Sequence, residues 1–310
     1  MTFSFQTAGG VFIRSFHYIV PEGCPRRLQD FLMRTQGYSH RMIRRIKVLP
    51  GGLLKNGQPA RMVDSALPGD TLTVTLPEDS GGLKECGIEV PVVYEDEDVL
   101  VYNKPPGLAV HPCRDYQEET LANVYVRDMR ERGLENPVFR PVYRLDKDTD
   151  GLIVIAKNGF SAAGLSGNIQ KIYTAIALGK VLPETGTIDA PIAQLEPHRM
   201  KRGIRPDGQR AVTHYETIFG NEYYTVLRIR LETGRTHQIR VHFASVGHPL
   251  LGDSLYGENG GSIPENPALS GTSRQALTCT EVSFVSPGTG KHCKLCINMH
   301  PEFEKLIYNV

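Results

Sequence analysis

Nine residues, Tyr143-Arg144-Leu145-Asp146-Lys147-Asp148-Thr149-Asp150-Gly151, do most to limit what this chain can become. They run directly into Leu152-Ile153-Val154-Ile155-Ala156, an unbroken apolar stretch that reads as a fully buried strand. Three carboxylates at alternating positions are therefore held against the mouth of a core strand.

A calcium loop is the first chemistry to weigh. Asp146, Asp148, Asp150 and Gly151 occupy positions 1, 3, 5 and 6 of the helix-loop-helix calcium pattern, but Lys157 stands at position 12, where a bidentate Glu is needed. A cation in place of the strongest anionic ligand, and a strand in place of the exiting helix, argue against it. Zinc fares no better. His237, His242 and His248 lack the helical His-x-x-x-His spacing and have no acid or cysteine to complete a set. Cys293 and Cys296 form a single Cys-x-x-Cys on an apparent strand, where residues three apart face opposite ways, so both read as structural.

Bulk composition narrows the class. The 310 residues suit one large or two medium domains. With 35 basic and 34 acidic side chains the formal charge is only +1, so a nucleic-acid partner has to be held by local patches. No apolar run approaches the roughly 18 residues a bilayer span needs, and no signal peptide is evident at the N-terminus. Six cysteines in a chain of this length fit a reduced, cytoplasmic setting.

Two basic patches stand out. Residues 1–20 suit an edge hairpin, and Arg26–Leu32 has helical spacing with Leu28, Phe31 and Leu32 on one face. Ser39 then caps a second expected helix that presents Arg41, Arg44, Arg45 and Lys47 opposite Met42, Ile43 and Ile46. Asn56-Gly57 signals a hairpin, and Pro68-Gly69-Asp70 precedes the alternating strand Thr71–Val74. A polar, Gly-rich break at 77–82 reads as a linker. The second patch is a Gly/Pro-interrupted loop with Arg199, Lys201, Arg202 and Arg205, suited to following a phosphate backbone. Solvated surface is the lesser alternative for each patch.

Further motifs follow the linker. Val99–Tyr102 reads as a buried strand ending in Asn103-Lys104-Pro105-Pro106-Gly107-Leu108-Ala109-Val110-His111-Pro112, a rigid turn. Thr120–Arg132 reads as a helix opened by Thr120, and 158–169 as a weak helix. On the strand Lys171–Gly179, Tyr173 shares a face with Ala175 and Ala177, which leaves space beside its ring for a stacked base. Gly234-Arg235-Thr236-His237-Gln238-Ile239-Arg240-Val241-His242 and Gly252-Asp253-Ser254-Leu255-Tyr256-Gly257 come next.

Taken in order, these motifs resemble those of the RluA-type pseudouridine synthases, and residues 26–75 resemble an S4 RNA-binding domain. The central motif usually begins with His and carries Ser before its Gly. Here Tyr143 and Asp150 stand at those places. The resemblance implies an α+β chain: a small S4-like domain with its linker over 1–82, then a catalytic domain over 83–310 built on a mixed, mainly antiparallel sheet flanked by helices and loops. It implies isomerisation of uridine to pseudouridine in rRNA or tRNA by a monomer, with no cofactor, metal or membrane. Asp146 would be the catalytic carboxylate, Tyr173 would stack on the uracil, and Arg235 would pair with Asp146.

The chemistry is consistent with those roles. Asp146 could attack covalently or take a proton from C2′. Buried under a flipped base, it would tend to protonate unless a guanidinium kept it charged. Arg144, next to the carboxylate, joins the expected RNA contacts. Asp148 and Asp150 are expected to face solvent or shape the turn, and Tyr143 either contacts RNA or packs behind the loop. Two other classes fit part of the pattern: an RNA-binding protein of this fold without catalysis, and a metal-dependent hydrolase using the aspartates and histidines.

Overall fold

The apolar run after the aspartates lies at the centre of the protein, and each residue from Asp150 to Ala156 is buried. The computed structural model describes every residue except 1, 9–10, 77–82, 114–117, 197–199, 258–268, 270–271, 273 and 309–310. At 2–8, 11–14, 41 and 307–308 it describes the backbone alone. The expected linker at 77–82 thus lies outside the described residues.

The chain opens with an edge hairpin, β1 (Thr2–Ala8) and β2 (Val11–Ile19). A short helix, α1 (Leu28–Asp30), passes into a π-helical turn, Phe31–Thr35. Helix α2 (His40–Val48) follows, capped by Ser39, whose hydroxyl accepts from the Met42 N–H at 3.3 Å. Strands β3 (Leu53–Lys55), β4 (Gln58–Pro59) and β5 (Thr71–Leu76) complete a five-stranded sheet in the order β1-β2-β5-β3-β4. Asn56 and Gly57, both at positive φ, turn β3 into β4. The Asn56 amide donates to Asp70 at 2.8 Å, tying this turn to the Gly-Asp turn before β5. Phe16, Leu28, Phe31, Ile43, Ile46 and Val74 fill a core of their own.

The rest of the chain builds a second, larger core. In order it contains β6 (Val92–Glu95), β7 (Val99–Lys104), α3 (Leu121–Glu131), β8 (Asp150–Ala156), α4 (Gly159–Leu165) and β9 (Gln170–Leu178). Next come β10 (Thr185–Asp189), β11 (Ile192–Gln194), β12 (Arg202–Ile204), β13 (Val212–Gly220), β14 (Tyr224–Leu231) and α5 (Gln238–Ser245). Strands β15 (Leu277–Val285) and β16 (His292–Cys296) and helix α6 (Pro301–Tyr308) close it.

Nine of these strands form one sheet, β10-β13-β14-β9-β15-β8-β7-β6 with β16 beside β15, and β11 and β12 pair as a separate hairpin. Only β8 and β15 run parallel. Sheet alternation divides β9: Tyr173, Ala175 and Ala177 enter the large core, while Ile176 enters a satellite core with Val226, Leu251 and Phe303. Cys293 is buried and Cys296 exposed, as opposite faces of β16 require. Among the described residues, no helix is long and apolar enough to cross a membrane.

An aromatic side chain of the larger unit packs against the N-terminal core. Phe160 on α4 lies 4.7 Å from the Phe16 ring and 5.7 Å from the Tyr38 ring.

Candidate active site

The aspartate loop is clamped from two directions before it enters β8. On one side the buried Lys104, at the end of β7, donates to the carbonyls of Pro105, Leu108 and Lys147 at 2.8–2.9 Å. Burial pulls its pKa down to about 7, with Asp150, Asp148 and Asp146 opposing the shift. On the other side the segment 274–278 braces the loop. Arg274 donates to the Asp150 carboxylate at 3.0 Å and to the Asp148 carbonyl at 3.3 Å, and Gln275 donates to the Thr149 hydroxyl at 3.3 Å.

Asp150 therefore corrects the sequence reading: it is buried, paired with Arg274, and accepts from Thr278 at 3.1 Å. Gly151 must be glycine, because its φ is +109° and a Cβ would lie 2.4 Å from the Cys279 carbonyl oxygen.

Asp146 is the acid left pointing into the site, with its side chain 27% exposed. Its Oδ2 lies 3.3 Å from Nη1 of Arg240 and 3.9 Å from Nε2 of His237. Arg240 is buried and is itself aimed by Asp253: Nε and Nη2 donate to the two carboxylate oxygens at 2.7 and 2.8 Å. Burial works against its charge, but Asp253 and Asp146 outweigh burial and raise its pKa. Gly252, at φ +73° with a Cβ position 2.1 Å from the Arg274 carbonyl, lets the turn that carries Asp253 pack against the segment that carries Arg274.

Arg235 does not fill the role expected of it. Its side chain is exposed and donates to the Arg210 carbonyl at 3.0 Å. Arg235 lies in the turn before α5, outside the helix, whereas Arg240 lies within it. His237 and Arg240, three residues apart at the start of α5, share one face and both reach Asp146. The motif was legible, but choosing its second arginine needed the helix.

Tyr173 is buried in the large core, opposite Cys279 in the pairing of β9 with β15. Burial first, then the Cys279 and Asp146 charges, push its pKa well above that of an ordinary tyrosine. Tyr143 packs behind the loop: its hydroxyl donates to the Leu152 carbonyl at 2.8 Å, and the Lys171 ammonium sits 5.0 Å over its ring. Arg144 is exposed beside the buried Leu145.

The basic candidates spread over two surfaces. On α2, Arg44 and Lys47 are exposed, Arg45 is half-buried, and Lys47 donates to Gln29 at 3.2 Å. On the β11–β12 hairpin and its loop, Lys201 and Arg202 are half-buried, while Arg205 forms a two-pronged pair with Asp207 at 2.8–2.9 Å. The Arg41 side chain and Arg199 lie outside the described residues.

The three histidines diverge: His242 bonds Thr213 and Ala190, His248 bonds Leu178, and His237 bonds Tyr256. Among the described residues no three His, Cys, Asp or Glu converge as a metal site would need.

A mixed sheet of this kind is shared with enzymes that modify RNA. The solved structure "Human RNA Pseudouridylate Synthase Domain Containing 4" matches with a TM-score of 0.56, covering 70% of this chain and 92% of that one at 22% identity, a likeness of fold. Residues 98–245 match the family model described as RNA pseudouridylate synthase. "Uncharacterized RNA pseudouridine synthase YjbO" of Bacillus subtilis is 36% identical over 87% of this chain and 95% of its own length. "Ribosomal large subunit pseudouridine synthase D" of Zymomonas mobilis is 36% identical over 84% of this chain and 86% of its own. The chain belongs to the RluA-type RNA pseudouridine synthases, which isomerise uridine within RNA.

Proposed function

We propose that this enzyme converts uridines of large-subunit ribosomal RNA to pseudouridine with Asp146 as the catalytic carboxylate. One observation carries the assignment of Asp146: of the three loop aspartates, it alone combines partial exposure to the site with a buried arginine partner, Arg240. Asp150 is consumed by Arg274, and the backbone of Asp148 holds the loop.

Arg240 keeps Asp146 ionised in a site that a flipped base would seal from water. Oδ2 faces Arg240, which leaves Oδ1 for the sugar. Either the carboxylate attacks C1′ or it takes the C2′ proton. In both routes the N1–C1′ bond breaks, the uracil turns and C5 bonds to C1′, as the carboxylate leaves C1′ in the first route or returns the proton to C2′ in the second; the C5 proton is then lost and N1 ends protonated. Tyr173 supplies a ring against the base.

The N-terminal unit acts as an S4-like RNA-binding domain, with Arg44, Arg45 and Lys47 of α2 toward phosphates. Arg144, Lys201 and Arg202 contact RNA nearer the site. Ribosomal RNA is the substrate named for the Zymomonas relative, and tRNA is the next choice.

Asp146→Asn is expected to abolish tritium release from [5-³H]uridine-labelled RNA while RNA binding stays within about twofold, since the change is isosteric and uncharged. Retained turnover would remove Asp146 from the chemistry. Pseudouridine mapping in a deletion strain tests the substrate: losses confined to tRNA would overturn the ribosomal assignment.

A further inference from the structure

His237 sits beside the catalytic pair in a strained backbone conformation. Among the described residues, only it and the turn residue Asn56 are non-glycine residues at positive φ; His237 has φ 57° and ψ 21°. Strain of that kind persists only where the surroundings demand it. Here it places a buried imidazole between Asp146 and Tyr256.

The hydrogen bonds around the ring point to one of its two tautomers. The Tyr256 hydroxyl accepts the backbone N–H of Arg202 at 2.9 Å. The same oxygen lies 2.9 Å from His237 Nδ1. A hydroxyl has one hydrogen and two lone pairs; Nδ1 lies within bonding distance of that hydrogen, and the reverse tautomer would turn a bare Nε2 lone pair toward the Asp146 carboxylate. Nδ1 is then an acceptor, the ring proton sits on Nε2, and Nε2 points at Asp146 Oδ2 from 3.9 Å. Burial lowers the imidazole pKa. Asp146 and Asp253 oppose the shift while Arg240 and Arg202 reinforce it, so the ring is neutral at neutral pH.

We propose that His237 is a positioning residue for the isomerisation: held by Tyr256 as the neutral Nε2–H tautomer, it directs that N–H at Oδ2 and so orients the Asp146 carboxylate. The role rests on Asp146 being the catalytic group. It explains why both groups facing Oδ2, Arg240 and His237, are donors. It also ties the carboxylate to the β11–β12 hairpin, since Arg202 belongs to that hairpin and its backbone holds the Tyr256 hydroxyl. At 3.9 Å the N–H is close but not yet bonded, and substrate closure would shorten the gap.

The test has two arms on the full-length protein. In ¹⁵N-histidine NMR, with His237 assigned by its loss in His237→Asn, the wild type should show the neutral Nε2–H pattern near pH 7. Tyr256→Phe should add the Nδ1–H form. An imidazolium or an Nδ1–H ring in the wild type overturns the proposal, whatever the variants do.

In kinetics, His237→Asn keeps a residue that tolerates this backbone and can still bond Tyr256, but it is too short to reach Asp146. It should lower kcat roughly tenfold with KM for RNA unchanged, the size of one lost hydrogen bond. Tyr256→Phe should also lower kcat, and the double variant should be no slower than His237→Asn. Wild-type kcat in His237→Asn, or additive losses in the double variant, would sink the positioning role even with Asp146→Asn inactive. Activity in Asp146→Asn would instead sink the assignment of Asp146 and leave the tautomer result standing.

Discussion

At the scale of single residues, two side chains carry opposite expectations. Arg240→Ala strands the Asp253 carboxylate, whose side chain is fully buried, and leaves Asp146 without its cation. Removing one partner of a buried pair costs about 3–5 kcal/mol, so urea denaturation should show a loss of that order together with loss of turnover. Arg235→Ala removes an exposed bond to a carbonyl and should shift stability by less than about 0.5 kcal/mol, with turnover retained. Equal damage from both variants would contradict the assignment of the pair.

Lys104 sets a pH dependence whose sign can be worked out. Its pKa is about 7 in the folded protein against an ordinary value of 10.5, which the unfolded chain restores. Between those values the unfolded chain binds more protons, so this group makes stability rise with pH. The cost of burying the charge is full below pH 7 and relieved as pH climbs toward 10.5. Lys104→Met cannot titrate. The stability advantage of the wild type over it should therefore widen between pH 7 and pH 9, and a constant gap would refute the buried titration.

At the scale of elements, the contact of β8 with β15 governs the site. These strands pair in parallel through Asp150–Thr278 and Gly151–Cys279, and Gly151 permits the approach. Gly151→Ala must push β15 away or strain a φ of +109°, and should cost more than about 2 kcal/mol in urea denaturation. A smaller loss would mean that the loop has slack.

The same scale explains what sequence reading could and could not see. Strand β8 was legible because an apolar run flanked by a polar turn has few alternatives. Helix α5 was not, because Gln238 through Ala244 are all buried, including Arg240 and His242, and a helix covered on all sides shows no polar stripe. The sequence left Asp150 between solvent and a turn-shaping role, because its partner Arg274 lies more than a hundred residues away, with no local sign in the sequence.

At the scale of the whole molecule, Phe160 of the larger unit packs on the N-terminal core with its ring tilted against Phe16 and Tyr38. Each aromatic contact is worth about 0.5–1.5 kcal/mol beyond its buried area. Phe160→Ala should loosen the N-terminal unit without touching the Asp146 site. Calorimetry is expected to resolve an earlier transition for that unit, while single-uridine turnover on a minimal RNA is kept. One unchanged transition would show that other contacts hold the units together.

By itself, the sequence determined the chemistry-bearing segments. A carboxylate loop before a core strand, a tyrosine among small residues on another strand, and a Gly-Arg-Thr-His-Gln-Ile-Arg segment are local patterns, written in period and residue type. Tertiary structure decided which members of those segments meet. Sheet pairing brings β15 to β8 and so takes Asp150 out of contention. The turn of α5 brings Arg240 and His237, not Arg235, to Asp146. In one dimension only the resemblance set Asp146 apart from its two neighbours; in space Asp150 pairs with Arg274 and Asp146 with Arg240, because charge pairs form by distance and not by sequence order.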